Sequence, residues 1–407
     1  MKKIMEIQVR VCEDLRAVTA AVDQRVADLE RPCEPVPDRS HRRFWSGGRL
    51  TICHLPGSRY TTEELPVVIM SLWDDLESLV SSPSSFAAKT GERGTIKPIP
   101  NFNAGGDAKA LKKAMKGLGT DEKTLIDVLT HRSSAQRQLI CEAYQKDTGK
   151  PLVKDVKGET SGNFEELLVA LVTTPAAFDC HEVIRAIKGA GTTESVLIEI
   201  FASRSNEQIK ALSDAYFNET KKKLTEDLKG EVSGDFSKAL LLLAEGKRAA
   251  DTTVNTEKAK EDAKTLYNAG EKKFGTDESK FIEILCQRSI PQLRQTLVEY
   301  KNISGKTLQQ SIEGEMSGKL EKLLVAIVKC VKSVPAYFAE RLYGSMKGGG
   351  TDERTLIRIM VSRSEIDLLD IRAEFKKLYK YSLHSAIKSD LSDSYGECVN
   401  AICGGDD

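Results

Sequence analysis

The chain lacks most of the features by which a protein of its length usually declares itself. It carries no net charge, with 60 basic and 60 acidic residues among 407. There is then no general attraction for nucleic acid, and an anionic partner must be met by a local feature or a bound cation. Histidines number only five, and the nine cysteines include no Cys-x-x-Cys pair. That excludes a zinc ribbon and a disulfide framework, and leaves reduced thiols as in a cytoplasmic protein. No stretch approaches the run of about 18 apolar residues that a bilayer-crossing helix needs. Glu6, Glu13 and Asp14 interrupt the start, so no signal peptide is expected. There is no Gly-x-Ser-x-Gly and no Walker loop, and His41, His54, His131, His181 and His384 stand beside no repeated nucleophile. Catalysis is therefore the weaker expectation, with no catalytic residue to name.

What the chain does have is a short glycine turn that returns. Met115-Lys116-Gly117-Leu118-Gly119-Thr120-Asp121 is the first copy, and Gly-Thr with a polar residue behind it recurs at Gly191-Thr192-Thr193, Gly275-Thr276-Asp277 and Gly350-Thr351-Asp352. Forty residues beyond each of these glycines stands a carboxylate: Glu159, Glu231, Glu315 and Asp390. A single copy would be read as the end of one helix and the threonine N-cap of the next. Four copies at one offset point to a shared chemistry.

Glycine permits backbone angles closed to other residues and leaves the turn's carbonyls uncovered. A carboxylate arriving from a second loop completes an all-oxygen cluster without imidazole or thiolate. Such a donor set suits a hard cation, and a sphere with several positions unfilled fits Ca²⁺ better than Mg²⁺. Water or an outside anion takes the remaining positions, and at a membrane that anion would be a lipid phosphate.

The loop threonines, 120, 192, 276 and 351, are 72, 84 and 75 residues apart. Thirteen residues after each comes an Arg-Ser pair, ending in Ser133, Ser205, Ser289 and Ser364. Gln136, Gln208, Gln292 and Asp367 follow three residues on, which predicts a capping box and a new helix in every repeat. Eleven residues past each serine stands an aromatic: Tyr144, Tyr216, Tyr300 and Phe375. In the first repeat the pattern predicts helices over 108–116, from Thr120 to about 130, from Ser133 to about 146, near 151–157 and over 162–172. Apolar residues at helical spacing on nearly every segment make the fold class all-α. The polar stretch 245–257 reads as a linker between two halves.

Residues 1–95 differ from the rest. Ile4, Val11, Leu15, Val18, Val22 and Leu29 keep a heptad, so a helix over about 4–30 is expected before Pro32, Pro35 and Pro37 stop it. Both tryptophans, Trp45 and Trp73, lie here, with a further short helix expected over 65–79. The extension reads as partly helical or disordered, and as a candidate protein-binding head.

Lys-Gly-x-Gly-Thr-Asp with a carboxylate forty residues on, in four copies, resembles the annexin core over 96–407. The resemblance implies four repeats of five short helices in a curved disc, bounded at 96–174, 175–246, 259–332 and 333–407 with a linker at 247–258. It implies Ca²⁺ loops facing an anionic phospholipid membrane surface. Carried over, the first site would use the carbonyls of Met115, Gly117 and Gly119 with Glu159. The second would use Ile187, Gly189 and Gly191 with Glu231, and the fourth Met346, Gly348 and Gly350 with Asp390. The third departs from the pattern, with Lys272 where a glycine is expected, and would use Gly270, Lys273 and Gly275 with Glu315. A second departure is Asp393, where the other repeats have Gly162, Gly234 and Gly318. Lys116, Lys188, Lys273 and Lys347 read either as attraction for anionic lipid or as solvated charges. Phe274 reads either as an interfacial anchor or as a side chain folded onto a neighbouring helix. The resemblance also implies inhibition of phospholipase A2 by covering its substrate. Two rivals stand beside this reading: a phosphodiesterase acting on cyclic inositol phosphate at a Ca²⁺ site, and a calcium-independent helical scaffold.

Overall fold

The computed structural model describes residues 92–117, 119–188, 191–271 and 275–406. The expected helices near 4–30 and 65–79, the two tryptophans, Gly189, Lys272, Lys273 and Phe274 lie outside the described residues. Among the described residues every regular element is an α-helix, and they fall into four sets of five. Repeat one comprises α1 (Ala104–Ala114), α2 (Glu122–Thr130), α3 (Ser134–Thr148), α4 (Leu152–Glu159) and α5 (Gly162–Val172). Repeat two comprises α6 (Pro175–Lys188), α7 (Glu194–Ser203), α8 (Asn206–Thr220), α9 (Leu224–Glu231) and α10 (Gly234–Ala244). Repeat three comprises α11 (Thr256–Ala269), α12 (Glu278–Gln287), α13 (Ile290–Ser304), α14 (Leu308–Glu315) and α15 (Gly318–Lys332). Repeat four comprises α16 (Val334–Met346), α17 (Glu353–Arg363), α18 (Leu368–Tyr379), α19 (Leu383–Asp390) and α20 (Asp393–Cys403).

Local chemistry sets the boundaries. α1 begins at Ala104, four residues before the expected start, because the Asn103 side chain accepts from the Gly106 N–H at 3.0 Å and caps it. α3 and α8 open on complete capping boxes, Ser133 with Gln136 and Ser205 with Gln208. The box expected at the other two serines does not form. In repeat three Ser289 makes no side-chain cap, while the Gln292 amide exchanges hydrogen bonds with the Asn255 backbone at 2.9 Å each, as Gln136 does with Ile99 at 3.1 and 2.9 Å. In repeat four α17 continues to Arg363, and Asp367 is bound by that arginine at 2.6 and 2.7 Å instead of capping through Ser364. The third helix of each repeat then ends on a left-handed residue: Gly149, Lys221, Gly305 or Lys380.

Within each repeat the first and third helices form the most extensive pair. The arginine of each Arg-Ser step locks that packing. Arg132 grips Asp107 of α1 at 2.7 and 2.9 Å, Arg204 grips Asp179 of α6 at 2.7 and 2.8 Å, and Arg288 grips Asp262 of α11 at 2.8 and 3.1 Å. Such bidentate forks fix orientation as well as distance. Repeat four has Phe338 at the corresponding place, and Arg363 stacks over its ring at 4.8 Å.

The chain entering the first repeat lies on the fourth. Ile96 N–H donates to the Ser364 carbonyl at 3.0 Å, and the Thr95 hydroxyl to the Ile402 carbonyl at 2.7 Å. Gly94 passes so close that an added Cβ would sit 2.6 Å from the Glu365 backbone, which forbids any side chain there. Between α10 and α11, the linker is anchored where Asn206 exchanges hydrogen bonds with the Arg248 backbone at 2.8 and 3.2 Å.

Repeats two and four are joined by a buried ion network. Glu199 of α7, fully buried, accepts from Arg358 of α17 at 2.8 and 2.9 Å and from Arg341 of α16 at 2.9 Å. Arg358 also reaches Glu182 of α6 at 3.1 Å. Burial alone would raise the Glu199 pKa, but the Arg358 and Arg341 charges outweigh it and bring it down to about 2 from the ordinary 4.5. A lowered carboxylate pKa stabilises the fold above the ordinary value and loses that stabilisation as the pH falls toward the lowered one. Glu199→Gln leaves Arg358 charged and buried, at an expected cost of about 3 kcal/mol at neutral pH. The gap in thermal midpoint between it and the parent chain should narrow between pH 4.5 and about 2. A gap constant across that range would contradict this account.

Candidate metal centre

Each glycine turn is closed by one backbone bond that folds it onto the helix it leaves. Asp121 N–H donates to the Ala114 carbonyl at 2.9 Å, Thr193 to Ala186 and Asp277 to Ala269 at 2.8 Å, and Asp352 to Ser345 at 2.7 Å. The last glycine of the turn then has positive φ, 90° at Gly119, 104° at Gly191, 89° at Gly275 and 158° at Gly350. An added Cβ at any of the four would meet nothing within 4 Å, so it is the backbone angle, and not space, that requires glycine.

The sequence predicts that the threonine after each turn caps the next helix, and the structure corrects this: the N-cap is the following residue. Asp121 accepts from Thr124 N–H and Asp352 from Thr355 N–H, both at 3.1 Å. The threonine hydroxyl is thereby free to reach the second loop. Thr120 donates to the Glu159 carbonyl at 3.0 Å, Thr192 to that of Glu231 at 3.4 Å, and Thr276 to that of Glu315 at 3.2 Å. In the fourth repeat Thr351 bonds the Asp390 carboxylate itself. Glu159, Glu231, Glu315 and Asp390 are the last residues of α4, α9, α14 and α19, all exposed. Each turn and its remote acid, separate in sequence, thus meet at one place in every repeat.

The remaining expected ligands divide between loop and core. Gly117 and Gly348 lie in the turns with φ of 124° and 125°. Met115 and Ile187 send their side chains into the core, and Met346 is partly buried, so each would offer only its backbone. Gly270 is buried, and an added Cβ there would lie 3.2 Å from Phe281. Beside it Glu271 accepts from Lys306 at 3.0 Å and from Ser311 at 2.9 Å, and the lysine holds its carboxyl below the ordinary range. Ser311 occupies the place of Asp155 and Asp227, which accept from the Tyr144 and Tyr216 hydroxyls at 2.7 and 2.6 Å. Repeat three therefore lacks that acid on α14, and the Tyr300 hydroxyl is buried there without a hydrogen-bond partner, a loss that the spacing of the aromatic residues did not signal. The second loop opens on a left-handed residue in all four repeats: Gly162 at 63°, Gly234 at 67°, Gly318 at 80° and Asp393 at 57°. The departure at Asp393 keeps the conformation and adds a carboxylate.

The donor chemistry fits a hard cation. Among the described residues no group of three or more His, Cys, Asp or Glu side chains is placed to hold a metal. A site here would depend on backbone carbonyls, which the glycine turns leave open. Among the described residues Glu159, Glu231, Glu315 and Asp390 have no cationic partner within 4 Å, so each is an acid without a counter-charge. Both features suit Ca²⁺ with protein oxygens filling part of its sphere.

The annexin family model matches residues 106–171, 178–243, 261–327 and 337–402, one match to each repeat. Annexin A3 of Homo sapiens is 57% identical over 317 residues, which is 78% of this chain and 98% of that protein. The solved structure of annexin III is 56% identical with a TM-score of 0.77, covering 80% of this chain and 100% of that one. A structure of calcium-bound annexin (Sm)1 is 34% identical with a TM-score of 0.70, covering 80% of this chain and 97% of that one.

Thr120→Val keeps the shape of the side chain and deletes its hydroxyl. It is expected to lower stability by about 1 kcal/mol, read by urea unfolding. Thr351→Val should also release the Asp390 carboxylate, so its unfolding midpoint is expected to respond to added Ca²⁺ more steeply than that of Thr120→Val. Equal responses would remove the distinction drawn here between the two ties.

Proposed function

This chain belongs to the annexin family, and from that premise we propose that it is a calcium-dependent phospholipid-binding protein that docks reversibly on anionic membrane surfaces. The observation that carries the reading is the meeting, four times over, of a glycine turn with an exposed acid that has no counter-charge among the described residues. A calcium-bound structure among the relatives supports the choice of ion.

The residues that would hold it are the carbonyls of Met115, Gly117 and Gly119 with Glu159; Ile187, Gly189 and Gly191 with Glu231; Gly270, Lys273 and Gly275 with Glu315; and Met346, Gly348 and Gly350 with Asp390. When bound, Ca²⁺ supplies a shared positive centre between these oxygens and a lipid phosphate. The chain's own part is to hold each turn against its acid and keep part of the sphere open. Weak single sites carried on one folded chain add through effective concentration, which makes docking steep in Ca²⁺ and reversible with chelator. Lys116, Lys188 and Lys347 beside the turns add attraction for anionic headgroups. Among the described residues no helix is long and apolar enough to cross a membrane. Inhibition of phospholipase A2 would follow from covering its substrate, and would vanish in lipid excess. No residue is assigned a catalytic role.

The test is co-sedimentation with vesicles containing phosphatidylserine across a Ca²⁺ titration. Glu159→Gln, Glu231→Gln, Glu315→Gln and Asp390→Asn together are expected to leave helicity unchanged and abolish Ca²⁺-dependent pelleting. Pelleting by that variant at the parent's Ca²⁺ concentration would refute the proposal.

A further inference from the structure

Neighbouring repeats touch at one equivalent position of their paired loops, and the two contacts differ in charge. Glu194 stands three residues after Gly191 in the first turn of α7, and Lys319 four residues after Glu315 in the first turn of α15. Their side chains form an ion pair across repeats two and three. Glu122 stands three residues after Gly119, and Ser394 four after Asp390. There the serine hydroxyl donates to the Glu122 carboxylate across repeats one and four. The first junction is neutral, with Lys322 nearby adding positive charge, and the second keeps its negative charge.

The surroundings sharpen the contrast. The cleft between repeats one and four is lined by Glu122, Glu159, Glu353, Asp390 and Asp393, with no lysine or arginine among its described lining residues. Burial pushes the Glu353 carboxyl above its ordinary value, and the neighbouring Asp390 adds to it. In the other cleft Lys319 and Lys322 stand among the glutamates, and the Lys319 bond holds the Glu194 carboxyl below the ordinary range. Glu194 lies three residues from Gly191 and Lys319 four from Glu315, a reach of at most about 14 Å even for extended chain. A charge at either position is therefore close to both loops.

We propose that this asymmetry ranks the metal sites: those of repeats one and four load at lower Ca²⁺ than those of repeats two and three, and Lys319 sets the difference. The inference rests on the metal reading above and adds the order of filling. An ammonium on the order of 10 Å from a divalent ion in water weakens its binding about fourfold at low ionic strength. Screening reduces this to less than about twofold at physiological salt.

The experiment is Ca²⁺ calorimetry on full-length chains at low salt. One carries Glu159→Gln with Asp390→Asn and retains sites two and three. The other carries Glu231→Gln with Glu315→Gln and retains sites one and four. The second is expected to bind at lower Ca²⁺ than the first. Adding Lys319→Ser to the first should tighten binding about fourfold, and adding Ser394→Lys to the second should weaken it about fourfold, with both shifts fading as salt is raised. Glu194→Gln, which keeps the lysine and removes its partner, should weaken the first pair. If both parent chains bind Ca²⁺ and Lys319→Ser changes nothing, or shifts affinity equally at all salt concentrations, the ranking falls and the metal reading survives. If neither takes up Ca²⁺, both fall.

Discussion

One threonine hydroxyl per repeat joins two loops that the chain keeps 39 residues apart, and through that bond each glycine turn meets its remote acid. Threonine at such a place would ordinarily cap the helix that follows. Here the next residue does so wherever a side-chain cap is made, at Asp121 and Asp352. That displacement by one residue turns a helix cap into a tie between elements. The bond closes only because the helices beneath it are already in place. The first and third helices are locked by an arginine fork in repeats one to three, and the fourth helix ends at the acid. Surface chemistry thus rests on core packing a full helix away.

Repeat four shows which parts of this arrangement are physical requirements and which are one solution among several. Its arginine has lost the acid on the first helix, where Phe338 stands, yet a buried guanidinium left without a counter-charge would be costly. Asp367 supplies that charge from four residues along the same strand of sequence, and the Phe338 ring takes the guanidinium face. The price is the capping box, because the aspartate cannot serve both partners. The tyrosine and acid of repeats one and two are likewise replaced together, by Phe375 and Ala386, and both of these are buried. Repeat four thus removes the polar pair whole, whereas repeat three keeps Tyr300 without its acid and leaves the hydroxyl buried without a partner, the costlier arrangement.

The repeat period, the all-helical class and the glycine turns with their remote acids were legible in the sequence because they are local patterns repeated in register. Four copies turn a weak signal into a strong one. What could not be read is whatever joins residues unrelated by that period. Arg358 and Glu199 are 159 positions apart, and each is a charged residue between apolar neighbours, Ile357 and Ile359 or Ile198 and Ile200. A charge at a core position was the available clue that something buried must answer it. The threonine ties were hidden for another reason. Each uses a residue whose local preference pointed elsewhere, and tertiary contact overrode it.

Charge is distributed to two ends in this molecule. In the interior, arginines and acids are matched closely, and their mutual attraction fixes one repeat against another at low dielectric. At the loops Glu159, Glu231, Glu315 and Asp390 have no cationic partner among the described residues, in a chain whose total charge is zero. A strongly basic chain would adhere to an anionic surface with or without metal, and an acidic one would be repelled even with some sites filled. Neutrality with a few unanswered carboxylates sits between these cases. A cation arriving at a turn adds positive charge there, so attraction to an anionic surface rises with the ion and does not depend on the net charge of the chain.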